Sequence, residues 1–110
     1  MNVGEIFWVE FPARGGRAQA GRRPAIVVQK EKTLPTVSLI PLTTQQDALR
    51  FAGTILIESD KQNNLRNVSV ALVFQLTAID KNFIKDKLGA ISGDKMDEIW
   101  TAFDELTGRK

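Results

Sequence analysis

Apolar and polar positions along this chain fall into short runs separated by turn residues, with one helical stretch at the end. Residues 4–11 (GEIFWVEF) are mostly apolar, rimmed by polar residues and stopped by Pro12, which predicts a strand. Residues 13–23 (ARGGRAQAGRR) hold no large apolar side chain and predict a long loop, a length usually tied to function. Residues 24–29 and 36–43 predict two further strands. Pro41 marks the second of them as an edge strand or a bulged one, because proline cannot donate to a ladder. Residues 44–51 predict one helical turn, 54–58 a fourth strand, and 60–66 a turn with Asn63 and Asn64 at its tip. Residues 67–78 read as one long, bent strand, and 79–88 as a short helical turn leading into a strand through Ile91.

The final segment has helical periodicity. Met96, Ile99, Trp100, Phe103 and Leu106 share one face, expected to be core, while Asp97, Glu98, Asp104 and Glu105 lie mainly opposite. Ser92 can cap the start and Gly108 can end it. Several strands followed by one terminal helix predict a mainly β fold, a small curved sheet or barrel with the helix packed against it. At 110 residues the expectation is a single domain spanning 1–110, able to bury roughly two-thirds of its unfolded surface. No apolar run is long enough to span a membrane and the N-terminus lacks a signal-peptide pattern, so a cytoplasmic protein is expected.

Composition narrows the chemistry. The chain contains neither Cys nor His. That removes disulfides, thiolate nucleophiles, Cys- or His-ligated metals and any imidazole acid/base pair. Catalysis here would rest on Arg, Lys, carboxylates, hydroxyls or backbone groups, and no metal or other cofactor is expected. The net charge is only +2, but its distribution is uneven. Residues 11–30 carry Arg14, Arg17, Arg22, Arg23 and Lys30 with no acidic residue. Such a patch suits an anionic partner, or is simply a solvated surface.

Three groups carry candidate chemistry. Arg23, before Pro24 and below a glycine-rich loop, offers a fork of donors suited to phosphate; it could equally solvate a strand end. Thr43, Thr44 and Gln45 could hydrogen-bond phosphate oxygens or base edges, or simply close a Thr-rich strand. Phe7, Trp8 and Phe11 could stack on bases, although such a cluster more commonly forms core or a subunit interface.

These residues, taken together, resemble the MazF/PemK family of toxin endoribonucleases from type II toxin–antitoxin systems. The resemblance runs nearly end to end: Gly4-Glu5-Ile6, the loop 16–21, Gly21-Arg22-Arg23-Pro24-Ala25-Ile26-Val27-Val28, Pro41-Leu42-Thr43-Thr44-Gln45, Val70-Ala71-Leu72, Gln75 and Ile79-Asp80. It implies an SH3-like (CcdB/PemK-type) barrel with a C-terminal helix, assembled as a homodimer. It also implies metal-independent cleavage of single-stranded mRNA by 2′-OH attack, leaving a 2′,3′-cyclic phosphate. Arg23 and Thr43 would be catalytic, and Arg17, Gln19, Arg22, Thr44, Gln45 and Gln75 would bind RNA. A cognate MazE-like antitoxin would block the groove with an extended tail. The sequence departs from the family pattern at Ala18, where many members have Glu, at Phe74, where many are acidic, and at Thr77, where several are basic. Those departures imply slower cleavage or an unusual target site. Two alternatives of other classes remain: a gyrase-binding toxin of the CcdB type, and a member that binds RNA without cutting it.

Overall fold

The computed structural model describes residues 1–13 and 20–110. Among these residues lie seven strands: β1 (Glu5–Phe11), β2 (Gly21–Val27), β3 (Thr36–Thr43), β4 (Thr54–Ile57), β5 (Ser69–Leu72), β6 (Thr77–Asp80) and β7 (Ile84–Ala90). One helix follows, α1 (Gly93–Thr107), and three 3-10 turns lie at Gln46–Arg50, Val73–Gln75 and Lys81–Phe83. Neighbours in the sheet run β4-β5-β3-β2-β1-β7, with β6 added beside β3, and every pairing is antiparallel. The fold is therefore mainly β with a terminal helix, as expected. The sheet is not closed, however: β4 and β7 are its two free ends.

β3 is central, not an edge. Its first half, Thr36–Leu39, pairs with β6, and its last two residues, Leu42 and Thr43, pair with β5. Between these ladders the register slips by three residues, the length of the Val73–Gln75 turn. The slip splits the single long strand expected at 67–78. Pro41 sits at the slip, where a missing N–H costs least, and pairs with Ala25 on the other side.

Both faces of β1 and β2 are covered. Ile6, Ile26, Ile40, Leu42, Ile57 and Ile99 belong to one core cluster, while Val9, Phe11, Ala25, Val27, Leu39 and Ile79 belong to a second. This is why residues 4–11 show no clean alternation. Phe11 is core and Phe7 packs against it, whereas Trp8 turns to a surface cavity.

The helix ends as its sequence predicts. Ser92 Oγ accepts a bond from Lys95 N, and Gly108 adopts a left-handed φ of 75°. Its apolar face is not uniformly core. Met96 and Ile99 are buried, but Trp100 and Leu106 are 37% and 40% exposed. The helix packs on β4 and on the Val73–Gln75 turn, which cover only part of its stripe. No helix among the described residues is long and apolar enough to cross a membrane.

The turn after β4 spans the gap towards β7. Ala90 N donates to Gln62 O at 3.1 Å, and Asn64 Nδ2 donates to Leu88 O at 2.9 Å. The buried Asn63 side chain holds this turn: its Oδ1 accepts from Asp60 N and Leu65 N, and its Nδ2 donates to Glu58 O. Asp60 Oδ1 in turn accepts from Gln62 N and Asn63 N. Asn64 takes the left-handed conformation, with φ 55°, that asparagine tolerates.

Two tests follow from this packing. A Cβ at Gly89 would lie 2.5 Å from Asn63 O and 2.6 Å from Gln62 O, both backbone atoms with little room to yield. Gly89→Ala should cost about 1–3 kcal/mol in urea unfolding, and a change lost in the error would contradict the close approach. Glu5, bonded to Lys87 at 2.7 Å and to Asn2 N, has its carboxyl held below the ordinary 4.5. A depressed folded pKa adds stability that is present above the unfolded pKa and is lost as pH falls through the folded one. The stability gap between wild type and Glu5→Gln should thus be widest near neutral pH and shrink well below pH 4.5.

Candidate nucleic-acid site

The site forms where β2 begins. The loop predicted over 13–23 ends sooner than expected, because β2 starts at Gly21 and not at Pro24. β1 is long enough to pair with these residues: Trp8 lies opposite Pro24, Val9 opposite Arg23, Glu10 opposite Arg22 and Phe11 opposite Gly21. Gly21 enters the strand with φ 81°, a conformation that favours glycine. β3 joins β2 only from Ala25 onward. The side of β2 before that point is left open, and Arg22 and Arg23 sit there.

Extending the β2–β3 register two residues past Ala25 and Pro41 brings Arg23 level with Thr43. Both line one cavity of about 540 Å³, together with Trp8, Arg22, Thr44 and the Asn64–Asn67 segment. Arg23 Nε donates to Ala20 O at 3.1 Å, which holds the guanidinium plane, and among the described residues no partner takes its outer N–H groups. Thr43 is only 6% exposed. Its Oγ1 accepts from Gln45 N at 3.2 Å, so its hydroxyl proton is free to donate. Arg22 is held as well: its guanidinium lies 5.0 Å from the centre of the Trp8 ring and 3.8 Å from Glu10. Three arginines, Arg22, Arg23 and Arg66, line the cavity, and among the described residues no carboxylate does.

Gln45 and Gln75 line a smaller adjoining cavity of about 260 Å³ with Arg50, Phe51 and Phe74, and Thr43 belongs to both. The structure thus gathers Arg22, Arg23, Thr43 and Thr44 in one place and sets Gln45 and Gln75 next to them. Arg17 and Gln19 lie outside the described residues, as does Ala18. Arg66, Asn64 and Asn67 escaped the sequence reading, since only the docking of their turn on β7 brings them here; Trp8 was legible there only as part of an aromatic cluster.

A groove of about 590 Å³ between α1 and residues 52–55 is the larger opening. Asp97, Glu98 and Glu105 line it, so it repels phosphate. Among the described residues no group of three acidic side chains could hold a metal.

An arginine-lined cavity on an open antiparallel sheet, with a buried threonine hydroxyl beside it, marks a mainly β protein whose site has the charge and donors that suit an anionic ligand. Comparison with known proteins gives the family. Residues 2–107 match the model of the PemK-like, MazF-like toxins of type II toxin–antitoxin systems. The chain is also 31% identical to Endoribonuclease MazF of Staphylococcus saprophyticus over 111 aligned positions, covering 98% of this chain and 92% of that protein. The chain belongs to the PemK/MazF toxin family. Solved structures share the fold: MazF of Deinococcus radiodurans superposes with a TM-score of 0.82 at 20% identity, over 98% of this chain and 96% of that one. A mycobacterial endoribonuclease in complex with its cognate antitoxin gives 0.77 at 15% identity, over 98% and 95%.

Proposed function

We propose that this chain is an endoribonuclease toxin that cuts single-stranded RNA at a preferred short sequence without a metal ion. One observation carries the reading: Arg23 and Thr43, far apart in sequence, line the same cavity in a chain of this family. In the proposed reaction the ribose 2′-oxygen attacks the adjacent phosphorus and the bond to the 5′-oxygen breaks, leaving a 2′,3′-cyclic phosphate. Arg23 supplies fixed positive charge where the phosphorane gathers negative charge, which is commonly the largest catalytic contribution. Thr43 donates to a phosphate oxygen and holds the phosphorus in line. The 2′-hydroxyl gives its proton to solvent water, because no carboxylate lines this cavity and the segment 14–19 carries none, and the departing 5′-oxygen takes a proton from water in turn.

Two partners belong to the reading. The mycobacterial endoribonuclease in complex with its cognate antitoxin supports an antitoxin partner for this chain, which the family resemblance makes MazE-like. An extended, acidic tail would complement Arg22, Arg23 and Arg66. A homodimer is the second. Leu49, Phe51 and Phe74 are exposed, and the rings of Phe51 and Phe74 lie 5.6 Å apart beside Gln45 and Gln75. A second copy would cover them.

Incubation with a long defined RNA in EDTA should yield discrete fragments ending in cyclic phosphate. Arg23→Ala should slow this by roughly 10²–10³-fold with an unchanged unfolding temperature. Intact RNA with wild type, or wild-type rates with Arg23→Ala, would overturn the assignment. Phe51→Asp should shift the sedimenting species towards monomer at micromolar concentration; an unaltered dimer would place the interface elsewhere.

A further inference from the structure

The cavity that Arg23 and Thr43 line has further lining residues, a wall that the proposed phosphate chemistry does not use. It consists of Trp8 with the Arg22 guanidinium over its ring, 5.0 Å from the centre, and of Asn64, Arg66 and Asn67 on the turn before β5. Among the described residues the side chains of Arg66 and Asn67 make no hydrogen bond or ion pair, and both residues are exposed. The turn that carries them is nevertheless stiff. Asn63 and Asp60 bond its backbone, Asn64 ties it to Leu88 O, and Ser69 Oγ donates to Asn67 O at 3.1 Å. Free donors and acceptors on a fixed backbone suit base recognition, because only the side chains, and not the backbone, have to be ordered when a ligand binds.

Resting on the ribonuclease reading above, we propose that this wall is the base-specificity pocket, and that it takes a purine of one nucleotide flanking the cleaved phosphate. The Trp8–Arg22 pair supplies the stacking platform. A guanidinium pinned on an indole presents its second face to a base, and a purine offers more area than a pyrimidine. Arg66 and Asn67 read the edge. An arginine fork matches the two acceptors of guanine, and an asparagine amide matches the donor and acceptor of adenine. Unpaired RNA bases expose these edges to side chains. The cavity, at about 540 Å³, has room for a base beside the phosphate.

The test maps cleavage ends on a long defined RNA for wild type and for Asn67→Ala, Asn67→Asp and Arg66→Ala, with unfolding temperatures measured in parallel. Wild type should cut at sites sharing a purine at one flanking position. Asn67→Ala and Arg66→Ala should relax that preference by roughly 5- to 150-fold, the discrimination one good base contact provides, at unchanged stability. Asn67→Asp should lose preference for adenine, since a carboxylate cannot donate to its ring nitrogen.

A binding measurement independent of cleavage accompanies the mapping. With Trp100 replaced (Trp100→Phe) and Arg23→Ala blocking turnover, Trp8 is the sole indole. Its emission should be quenched by short purine-containing RNA more than by polyuridylate. Variants that cut the wild-type sites with wild-type preference, or equal quenching by both RNAs, would overturn this inference and leave the ribonuclease reading standing. A wild type that cuts no RNA would overturn both.

Discussion

The site depends on one strand having to satisfy partners on both sides. β3 pairs with β2 along one edge and with β6 and then β5 along the other. Two ladders on the same edge require a change of register, and the chain makes it with the three-residue turn Val73–Gln75 opposite Pro41. Proline is favourable at that point because it brings no N–H that would otherwise go unpaired. Beyond the slip, β3 ends in Thr43 with its side chain buried, while Phe74 and Gln75 lie outside the ladder next to it. One local accommodation therefore delivers a hydroxyl to the cavity and sets the neighbouring surface.

The second support is the length mismatch between β1 and β3 as neighbours of β2. β1 pairs with β2 back to Gly21, but β3 stops short at Ala25. Arg22 and Arg23 are consequently rigid on one side and open on the other. Fixed guanidinium groups stabilise developing negative charge better than mobile ones, since they need no reorganisation as the charge appears. The absence of histidine and cysteine makes this placement more consequential: the chain has no imidazole to move protons, and electrostatic stabilisation must carry the proposed reaction.

The chain keeps the family's strand-and-helix fold, but its sheet does not close on itself. A barrel removes exposed edges by pairing its first strand with its last. Here β4 and β7 stay apart, and the turn after β4 bridges them with two hydrogen bonds and the close approach at Gly89. That bridge is short and rigid because a buried asparagine satisfies its backbone. It also brings Asn64, Arg66 and Asn67 to the cavity, which an ordinary strand pairing would not have done.

Much of this was legible in the sequence. Helix α1 and its caps, strands β1, β3 and β4, and the turn at Asn63–Asn64 follow from local periodicity and turn chemistry, which act over a few residues. The arginines and the Thr43–Gln45 segment stood out by residue type and spacing. What the sequence could not show was non-local. Whether Pro41 lay at an edge depended on which strands flanked it. Whether 67–78 was one strand depended on the register of β3. Whether Trp100 and Leu106 were core depended on how far β4 reached beneath α1. Arg66 read as the end of a turn and Asn67 as the start of a strand, and neither drew notice until that segment was docked on β7. Sequence periodicity records which side of an element is apolar. Only the tertiary structure decides what that side meets, because pairing and packing link residues that the chain itself holds far apart.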